Sequence, residues 1–318
     1  MKYFGKVILP KIIESRCRYI MKADTNKNID KYNDKKINKN INKNINKNII
    51  VAGIQILCNS SKIEMLNKAE SYINQVCTKY KNVDLIVLPE QFYQLDGNKD
   101  NNWNEEYGEE EHGLFEKTMC SLAKEYDVNI IAGTYAVKQQ DKIKNRSLAI
   151  NRAGSVIGYY DKIHLFDAFG IRESDTFSAG NELGIFQFDF GKVGVFVCYD
   201  LRFPEISRAI RLKNDIDLLC VPAAFYKPHN DQWEILVKSA AIYNVTPVVA
   251  VNQYGQINET KGFVGRSMAV DAKGIVLAGV SDKEGYYVTE IEKEYTGICR
   301  MVNPELSNRR VDLYSLWI

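Results

Sequence analysis

The chain has 318 residues, of which 45% are hydrophobic and 26% charged, with a formal net charge of +2. This is the composition of an ordinary globular protein, and no apolar run reaches the roughly 18 residues that a membrane-spanning helix needs. Residues 1–48 carry 11 Lys and 2 Arg against 4 acidic residues, a net +9, so the remainder carries −7. An acidic body argues against nucleic-acid binding by the folded part.

The first 48 residues predict a basic, Asn- and Lys-rich disordered extension. Residues 26–48 repeat Asn-Lys-Asn-Ile, a low-complexity composition that does not support a packed core. Residues 1–25 alternate Lys and Arg with apolar residues, as in an organelle transit peptide, but few serines are present. Residues 1–25 are therefore either an import signal or an extension without targeting function. We expect a cytoplasmic protein, with organellar import as the alternative.

From residue 49 onwards, short apolar runs alternate with helix-like stretches. The predicted strands are 49–57, 84–88, 128–137, 146–151, 193–198, 217–222 and 247–251, and the predicted helices are 61–80, 111–126, 203–213 and 231–243. Short turns such as Asn151-Arg152-Ala153-Gly154 join some strands directly as hairpins. Because no Gly- and Pro-rich linker interrupts this pattern, it predicts one α/β domain over residues 49–318, with mixed sheets and helices outside.

Three chemically different side chains lie at strand-end patterns: Glu90 after Leu85–Leu88, Lys162 after Tyr159-Tyr160-Asp161, and Cys198 after Val193–Val197. A nucleophile at a sharp turn after a strand projects above the sheet edge, and the next backbone N–H, that of Tyr199, faces the group under attack. A thiol needs a base and the developing oxyanion needs donors. Glu90 is the candidate base, and Lys162 is the candidate oxyanion donor. The constellation indicates hydrolysis by a Cys nucleophile.

Each of these residues taken alone also has an ordinary structural explanation, since Glu can begin a helix and Cys is often a core residue. The 7 cysteines are scattered without a C-x-x-C pair, which argues against a disulfide framework or a zinc site. With only 3 histidines, a His-rich metal site is not expected either. We predict a structural hydrogen bond for His164, and we expect neither a metal nor a cofactor.

Three sequence blocks, in a fixed order, carry a resemblance to a known family. The blocks are Leu88–Phe92, Tyr160–Asp167 and Cys198–Glu205. The chain from residue 49 to 318 resembles the nitrilase, or carbon–nitrogen hydrolase, superfamily, and it is most similar to the amidase branch that includes the omega-amidases. The resemblance implies a four-layer αββα sandwich with mixed sheets. It also implies homodimers that pair through the helices beside the nucleophile strand.

The same resemblance implies roles for individual residues. It implies a triad of Glu90 as proton acceptor, Lys162 as oxyanion stabiliser and Cys198 as nucleophile. A second acidic residue of the family, which supports the lysine and the substrate amide, corresponds to Glu173; an exposed loop Glu is the alternative interpretation. A carboxylate near the lysine would hold its amine in place and keep it charged.

The substrate-binding residues are predicted from their positions near strand ends. Phe92 and Phe225 follow strand ends near the base and the opposite wall, so each either lines the substrate pocket or packs in the core. Tyr199 is also expected at the pocket. An omega-amide carries a distal carboxylate that needs a cation, and Lys227 and Arg202 are the candidates by position.

The expected reaction is hydrolysis of a small primary amide, such as 2-oxoglutaramate or succinamate, to a carboxylate and ammonia through a Cys thioester. Two alternatives stay open: an N-carbamoyl-amine hydrolase, and a non-catalytic binding module on the same fold. Tyr199-Asp200 disfavours true nitrilases, in which Trp-Glu is usual. The acidic segment 94–111 either shapes the pocket mouth or is a solvated insertion. The expected partners are the amide and a second copy of the chain.

Overall fold

The computed structural model describes residues 48–93, 108–257, 259 and 262–317. The predictions for residues 1–47 and for residues 94–107 of the acidic segment lie outside this part of the chain. No helix within the described ranges is long and apolar enough to cross a membrane.

Seventeen strands and six α-helices make up the described chain. The strands are β1 Ile49–Gln55, β2 Leu85–Val87, β3 Asn129–Ile131, β4 Tyr135–Gln139, β5 Lys142–Ile150, β6 Val156–Asp161, β7 Asp167–Ala168, β8 Ile171–Arg172, β9 Gly184–Phe188, β10 Gly191–Val195, β11 Leu218–Ala223, β12 Val248–Asn252, β13 Tyr254–Gln256, β14 Gly262–Val264, β15 Met268–Val270, β16 Val276–Gly279 and β17 Gly285–Ile291. The helices are α1 Lys62–Lys79, α2 Leu114–Glu125, α3 Pro204–Lys213, α4 Asn230–Asn244, α5 Lys293–Val302 and α6 Val311–Trp317.

Two mixed sheets form the centre of the molecule. The first has the order β17-β1-β2-β3-β5-β4 with β6 beside β5, and the second has the order β16-β15-β12-β11-β10-β9. In the first sheet β1, β2 and β3 run parallel, and in the second β10, β11 and β12 run parallel. Parallel strands place their carboxyl ends at one edge of a sheet, where ligand sites commonly form.

Side chains on alternate positions of β1 define the layers. Ile49 and Val51 pack into the core cluster that also contains β10, β11 and β12. Ala52 and Ile54 point the other way, into a second cluster with α1 and α2. Helices α3 and α4 cover the outer face of the second sheet. The result is the four-layer αββα sandwich that the resemblance implied.

Helix α1 illustrates how local sequence specifies these layers. Its first turn carries a capping box, in which Ser61 Oγ accepts from the backbone N–H of Glu64 and the Glu64 carboxylate accepts from the N–H of Ser61. Such a box satisfies backbone donors that a helix start leaves unpaired. The residues that α1 buries recur at helical spacing: Met65, Leu66, Ala69, Ile73 and Val76.

The predicted strand at 128–137 is in fact two strands, β3 and β4, separated by Gly133. This glycine has φ +57°, and a Cβ built on it would lie 2.1 Å from the carbonyl oxygen of Pro89. Only a residue without a side chain fits this close approach. The turn at Gly133 is therefore in close contact with Pro89, the residue before Glu90.

Candidate active site

Four predicted site residues converge between the two sheets. Glu90 follows β2 and Lys162 follows β6, so both come from the first sheet, whereas Cys198 follows β10 of the second sheet. Glu173 begins a short 3-10 turn after the β7–β8 hairpin. All four residues are buried, with 3%, 3%, 8% and 8% of their surface exposed, respectively.

Lys162 forms a bridge between two carboxylates. Its Nζ lies 2.9 Å from Oε1 of Glu90 and 2.7 Å from Oε2 of Glu173. Burial alone would lower the pKa of Lys162, but the negative charges of Glu173 and Glu90 hold it well above its usual value. Glu173 also accepts the backbone N–H of Phe166 at 2.7 Å. Glu173 is therefore a buried partner of the lysine, and the alternative of an exposed loop Glu is wrong.

The second oxygen of Glu90 has a different environment. Oε2 accepts the backbone N–H of Ala224 at 2.9 Å, at the end of β11. The backbone carbonyl of Glu90 accepts Nε2 of Gln253 at 2.8 Å. The next residue, Gln91, has φ +51° and donates its N–H to Oγ1 of Thr134 at 3.0 Å. The carboxylate is thus fixed by groups from both sheets.

Cys198 occupies the sharp turn that the sequence pattern predicted. Its φ is +47°, and it starts the 3-10 turn Cys198–Arg202 that leads into α3. A non-glycine residue in this conformation persists only when its surroundings hold it there. Oδ2 of Asp200 accepts the N–H of Val197 at 2.8 Å and the hydroxyl of Tyr160 at 2.7 Å.

Asp200 also ties the turn to the lysine segment. Its Oδ1 accepts the backbone N–H of His164 at 2.9 Å and lies 2.8 Å from Nδ1 of the same residue. The His164 ring stacks on Phe203 with 3.8 Å between ring centroids. The predicted structural hydrogen bond of His164 is confirmed.

The surroundings of Cys198 favour the protonated form of its thiol. Burial raises its pKa, the negative charge of Glu90 raises it further, and Lys162 only partly opposes them, so the pKa stands well above that of an ordinary thiol. A hydrogen bond joins the thiol to the Glu90 carboxylate. The thiol is therefore protonated near neutral pH and has an adjacent carboxylate that can accept its proton.

The four side chains line an open pocket of about 610 Å³, a volume that includes the solvent at its mouth. Tyr199 and Phe225 lie on its wall, and the wall also includes aromatic residues that sequence analysis missed, Phe166, Tyr226 and His229. Phe166 lies four residues after Lys162 and Tyr226 lies directly after Phe225, but the sequence did not show that their rings face the pocket.

Phe92 does not line the pocket. It is fully buried in the cluster between the first sheet and its helices, with its ring 5.8 Å from that of Phe115. The left-handed conformation of Gln91 turns the chain, so Gln91 reaches the pocket wall and Phe92 points to the opposite side. Of the two alternatives open for Phe92, core packing is correct.

Only one of the two candidate cations faces the pocket. Arg202 lies on the wall, where its Nη2 donates to Oε1 of Gln232 at 2.8 Å and its guanidinium lies 5.0 Å from the Phe225 ring centroid. The amine of Lys227 lies instead over the Tyr254 ring, 5.4 Å from its centroid, and Lys227 is not part of the wall.

Sequence analysis also missed Asn145, whose side chain joins the two carboxylates. Its Nδ2 donates to Oε1 of Glu90 at 2.9 Å and to Oε1 of Glu173 at 2.8 Å. The available signal was weak, because Asn145-Arg146-Ser147 follows Lys142 and Lys144 in a strand whose first part is mostly polar. Across the described ranges, no group of three or more His, Cys, Asp or Glu side chains is arranged to hold a metal ion.

The family model for carbon–nitrogen hydrolases matches residues 50–301. The chain belongs to this family. It is therefore a hydrolase of carbon–nitrogen bonds other than peptide bonds. It is 36% identical over 69% of its length to the probable nitrilase C965.09 of Schizosaccharomyces pombe, of which 79% is covered.

Two further relatives are similar over most of their own lengths. The 2-oxoglutaramate amidase of Bacillus subtilis is 34% identical over 79% of this chain and 93% of that protein. The crystal structure of a carbon–nitrogen hydrolase from Helicobacter pylori G27 superposes with a TM-score of 0.78 at 27% identity, and the match covers 85% of this chain and 98% of that one.

Proposed function

We propose that the protein is an omega-amidase that hydrolyses the primary amide of a small dicarboxylic acid monoamide, such as 2-oxoglutaramate or succinamate, to a carboxylate and ammonia. The observation that carries the proposal is the buried cluster of Glu90, Lys162 and Cys198 at the floor of a pocket whose wall holds Arg202. The match to the 2-oxoglutaramate amidase of Bacillus subtilis supports the same substrate class.

In the first half of the proposed reaction, the thiol proton of Cys198 passes to Glu90 as the sulfur attacks the amide carbon. The carbonyl oxygen becomes an oxyanion, which the ammonium of Lys162 and the backbone N–H of Tyr199 stabilise. Glu90 then gives its proton to the nitrogen, the carbon–nitrogen bond breaks, and ammonia leaves. A thioester on Cys198 remains.

In the second half, Glu90 takes a proton from water as the oxygen attacks the thioester carbon. The carbon–sulfur bond breaks, the carboxylic acid leaves, and the proton on Glu90 returns to the sulfur. Glu173 keeps the ammonium of Lys162 charged and oriented through both halves. One carboxylate thus serves as base and acid in turn.

The charge on the pocket wall favours a substrate with a distal carboxylate. Arg202 presents a guanidinium held by Gln232, and guanidinium groups bind carboxylates with two parallel hydrogen bonds. An uncharged amide would leave this cation without an anionic partner. We therefore expect omega-amides to be preferred over uncharged amides of the same length.

The test is ammonia release by wild type and Cys198→Ala on succinamate, 2-oxoglutaramate, glutamine and an N-carbamoyl amine. We expect release from the omega-amides that Cys198→Ala abolishes. The matched control is Cys220→Ala, because Cys220 is also a fully buried thiol but lies in β11 away from the pocket. Cys220→Ala should keep the wild-type kcat within a few fold.

The other outcomes separate the alternatives. Release only from the N-carbamoyl amine would make the protein an N-carbamoyl-amine hydrolase. Binding of an omega-amide without turnover, unchanged in Cys198→Ala, would make it a binding module on this fold.

We propose further that the protein forms a homodimer through the outer faces of α3 and α4. These faces expose Leu212, Ile235 and Ile242 by 45%, 62% and 46%, which is apolar surface that a second copy would cover. Light scattering should give twice the mass of the chain, and Ile235→Lys should shift the protein towards monomers. A monomer for the wild type at micromolar concentration would contradict this proposal.

A further inference from the structure

Asn145 lies in β5 and is 1% exposed. Its Nδ2 donates to one oxygen of Glu90 and one of Glu173. This arrangement fixes the orientation of the amide, because the reversed amide would bring its oxygen against two anionic oxygens. The backbone carbonyl of Asn145 also accepts the N–H of Lys162 at 3.0 Å.

The other end of the same amide is unsatisfied. Oδ1 of Asn145 is buried and has no hydrogen-bond partner among the described residues. A buried acceptor without a partner destabilises a fold, and such a group calls for an explanation, of which a catalytic role is one. The two hydrogen bonds that Asn145 donates to Glu90 and Glu173 offset this cost.

The two oxygens of Glu90 are not equivalent. Oε1 accepts from Nζ of Lys162 and from Nδ2 of Asn145. Oε2 accepts from the backbone N–H of Ala224, and both this N–H and the Glu90 carboxylate interact with the Cys198 thiol. Oε2 therefore lies on the side of the sulfur, and Oε1 is occupied by two donors on the other side.

We propose that Asn145 is a positioning residue that, together with Lys162, holds Oε1 of Glu90 out of the reaction and leaves Oε2 as the oxygen that exchanges protons. The proposal rests on the proposed function of Glu90 as general base. Oε2 then takes the proton from the sulfur of Cys198, gives it to the departing nitrogen, and repeats the exchange with water and the sulfur in thioester hydrolysis.

This role predicts a change in pH dependence. The charged and titratable groups around Glu90 are Lys162, Glu173, Cys198 and Tyr226. Hydrogen bonds to a carboxylate favour its ionised form. Removal of the Asn145 amide therefore disfavours the ionised form of Glu90. The acid limb of the pH profile, where kcat/KM rises with pH, then moves to higher pH. A residue that only stabilises the fold would lower the active fraction without moving this limb.

The experiment compares Asn145→Leu, which has a similar size and no donor, and Asn145→Ser, which keeps a small polar group. The matched control is Ser147→Ala, because Ser147 lies two residues along the same strand, is also 1% exposed and also has an unpartnered buried oxygen, Oγ. Two quantities are measured against pH: kcat/KM on succinamate, and the rate of iodoacetamide labelling of Cys198, located by mass spectrometry.

For both Asn145 variants we expect kcat/KM to fall by roughly 10- to 100-fold and both acid limbs to move upward by about one pH unit. Ser147→Ala should leave both limbs in place. Unmoved limbs in the Asn145 variants would overturn the proposal, as would failure of both variants to fold, since Asn145 would then act in stability alone. If the wild type released no ammonia, the proposed function would fail, and the labelling profile would still decide the role of Asn145.

Discussion

At the scale of single residues, the site keeps its nucleophile protonated and its cation charged. The pKa of the Cys198 thiol is raised mainly by burial, and the pKa of Lys162 is raised by its two carboxylate partners despite burial. In the proposed mechanism, thiolate formation therefore depends on proton transfer to Glu90 at the moment of attack.

Glu90→Gln should abolish this proton transfer while it keeps the shape of the side chain. We expect kcat/KM to fall by about 10³-fold, within the range for loss of a general base. Iodoacetamide labelling of Cys198 at pH 7 should also become slower and recover only in alkaline solution, because burial, the largest cause of the raised pKa of the thiol, remains although the charge of Glu90 is lost. Glu70→Gln, on the exposed face of α1, is the control. Equal labelling of wild type and Glu90→Gln at pH 7 would contradict the assigned role.

At the scale of elements, strand ends were predictable and the interiors of strands and turns were not. Glu90, Lys162 and Cys198 were found because each lies at a strand-end pattern, and the three strands end at neighbouring points of two sheets. Asn145 lies inside a strand, where its polarity alone does not reveal which face it uses. Phe92 was ambiguous because one residue in the left-handed conformation, Gln91, decides which side the next side chain faces.

The turn at Gly133 provides a test at this scale. Gly133→Ala would place a Cβ in a left-handed conformation and 2.1 Å from the Pro89 carbonyl oxygen, so we expect a loss of about 2 kcal/mol or more in the free energy of unfolding. Displacement of the Pro89 segment should lower kcat as well. Urea unfolding and ammonia release measure the two effects.

The control for this variant is Gly297→Ala in α5. A Cβ at Gly297 would meet nothing within 4 Å, so this change should stabilise the protein by about 0.5–1 kcal/mol because alanine favours the helix. An equal effect of the two substitutions would refute the steric argument for Gly133.

At the scale of the whole molecule, the core contains several neutral acids that unfolding would expose. Burial raises the pKa of Cys198, of Cys220 and of Tyr287. An acid whose folded pKa exceeds its unfolded pKa stabilises the fold fully only below the unfolded value, and this stability is lost as the pH rises above it. The free energy of unfolding should therefore decline above about pH 9, which is near the ordinary pKa of a thiol.

Tyr287→Phe separates one contribution to this decline. The Tyr287 hydroxyl is buried without a hydrogen-bond partner in the described structure, so its removal should raise stability by about 1 kcal/mol at pH 7. It should also make the alkaline decline less steep by up to about 1.4 kcal/mol per pH unit above pH 10. Tyr159→Phe, at a half-exposed ring, should leave the slope unchanged. Urea midpoints from pH 7 to 11 provide the comparison.

The site residues come from different sheets, and this affects how the protein loses activity when it is heated or exposed to denaturant. Glu90 and Lys162 belong to one sheet, and Cys198 and Ala224 belong to the other. Neither sheet alone contains all of the site residues. The rate of ammonia release therefore depends on the contact between the two sheets. If mild heat or denaturant loosens this contact first, ammonia release disappears while the circular dichroism of helices and strands is still intact.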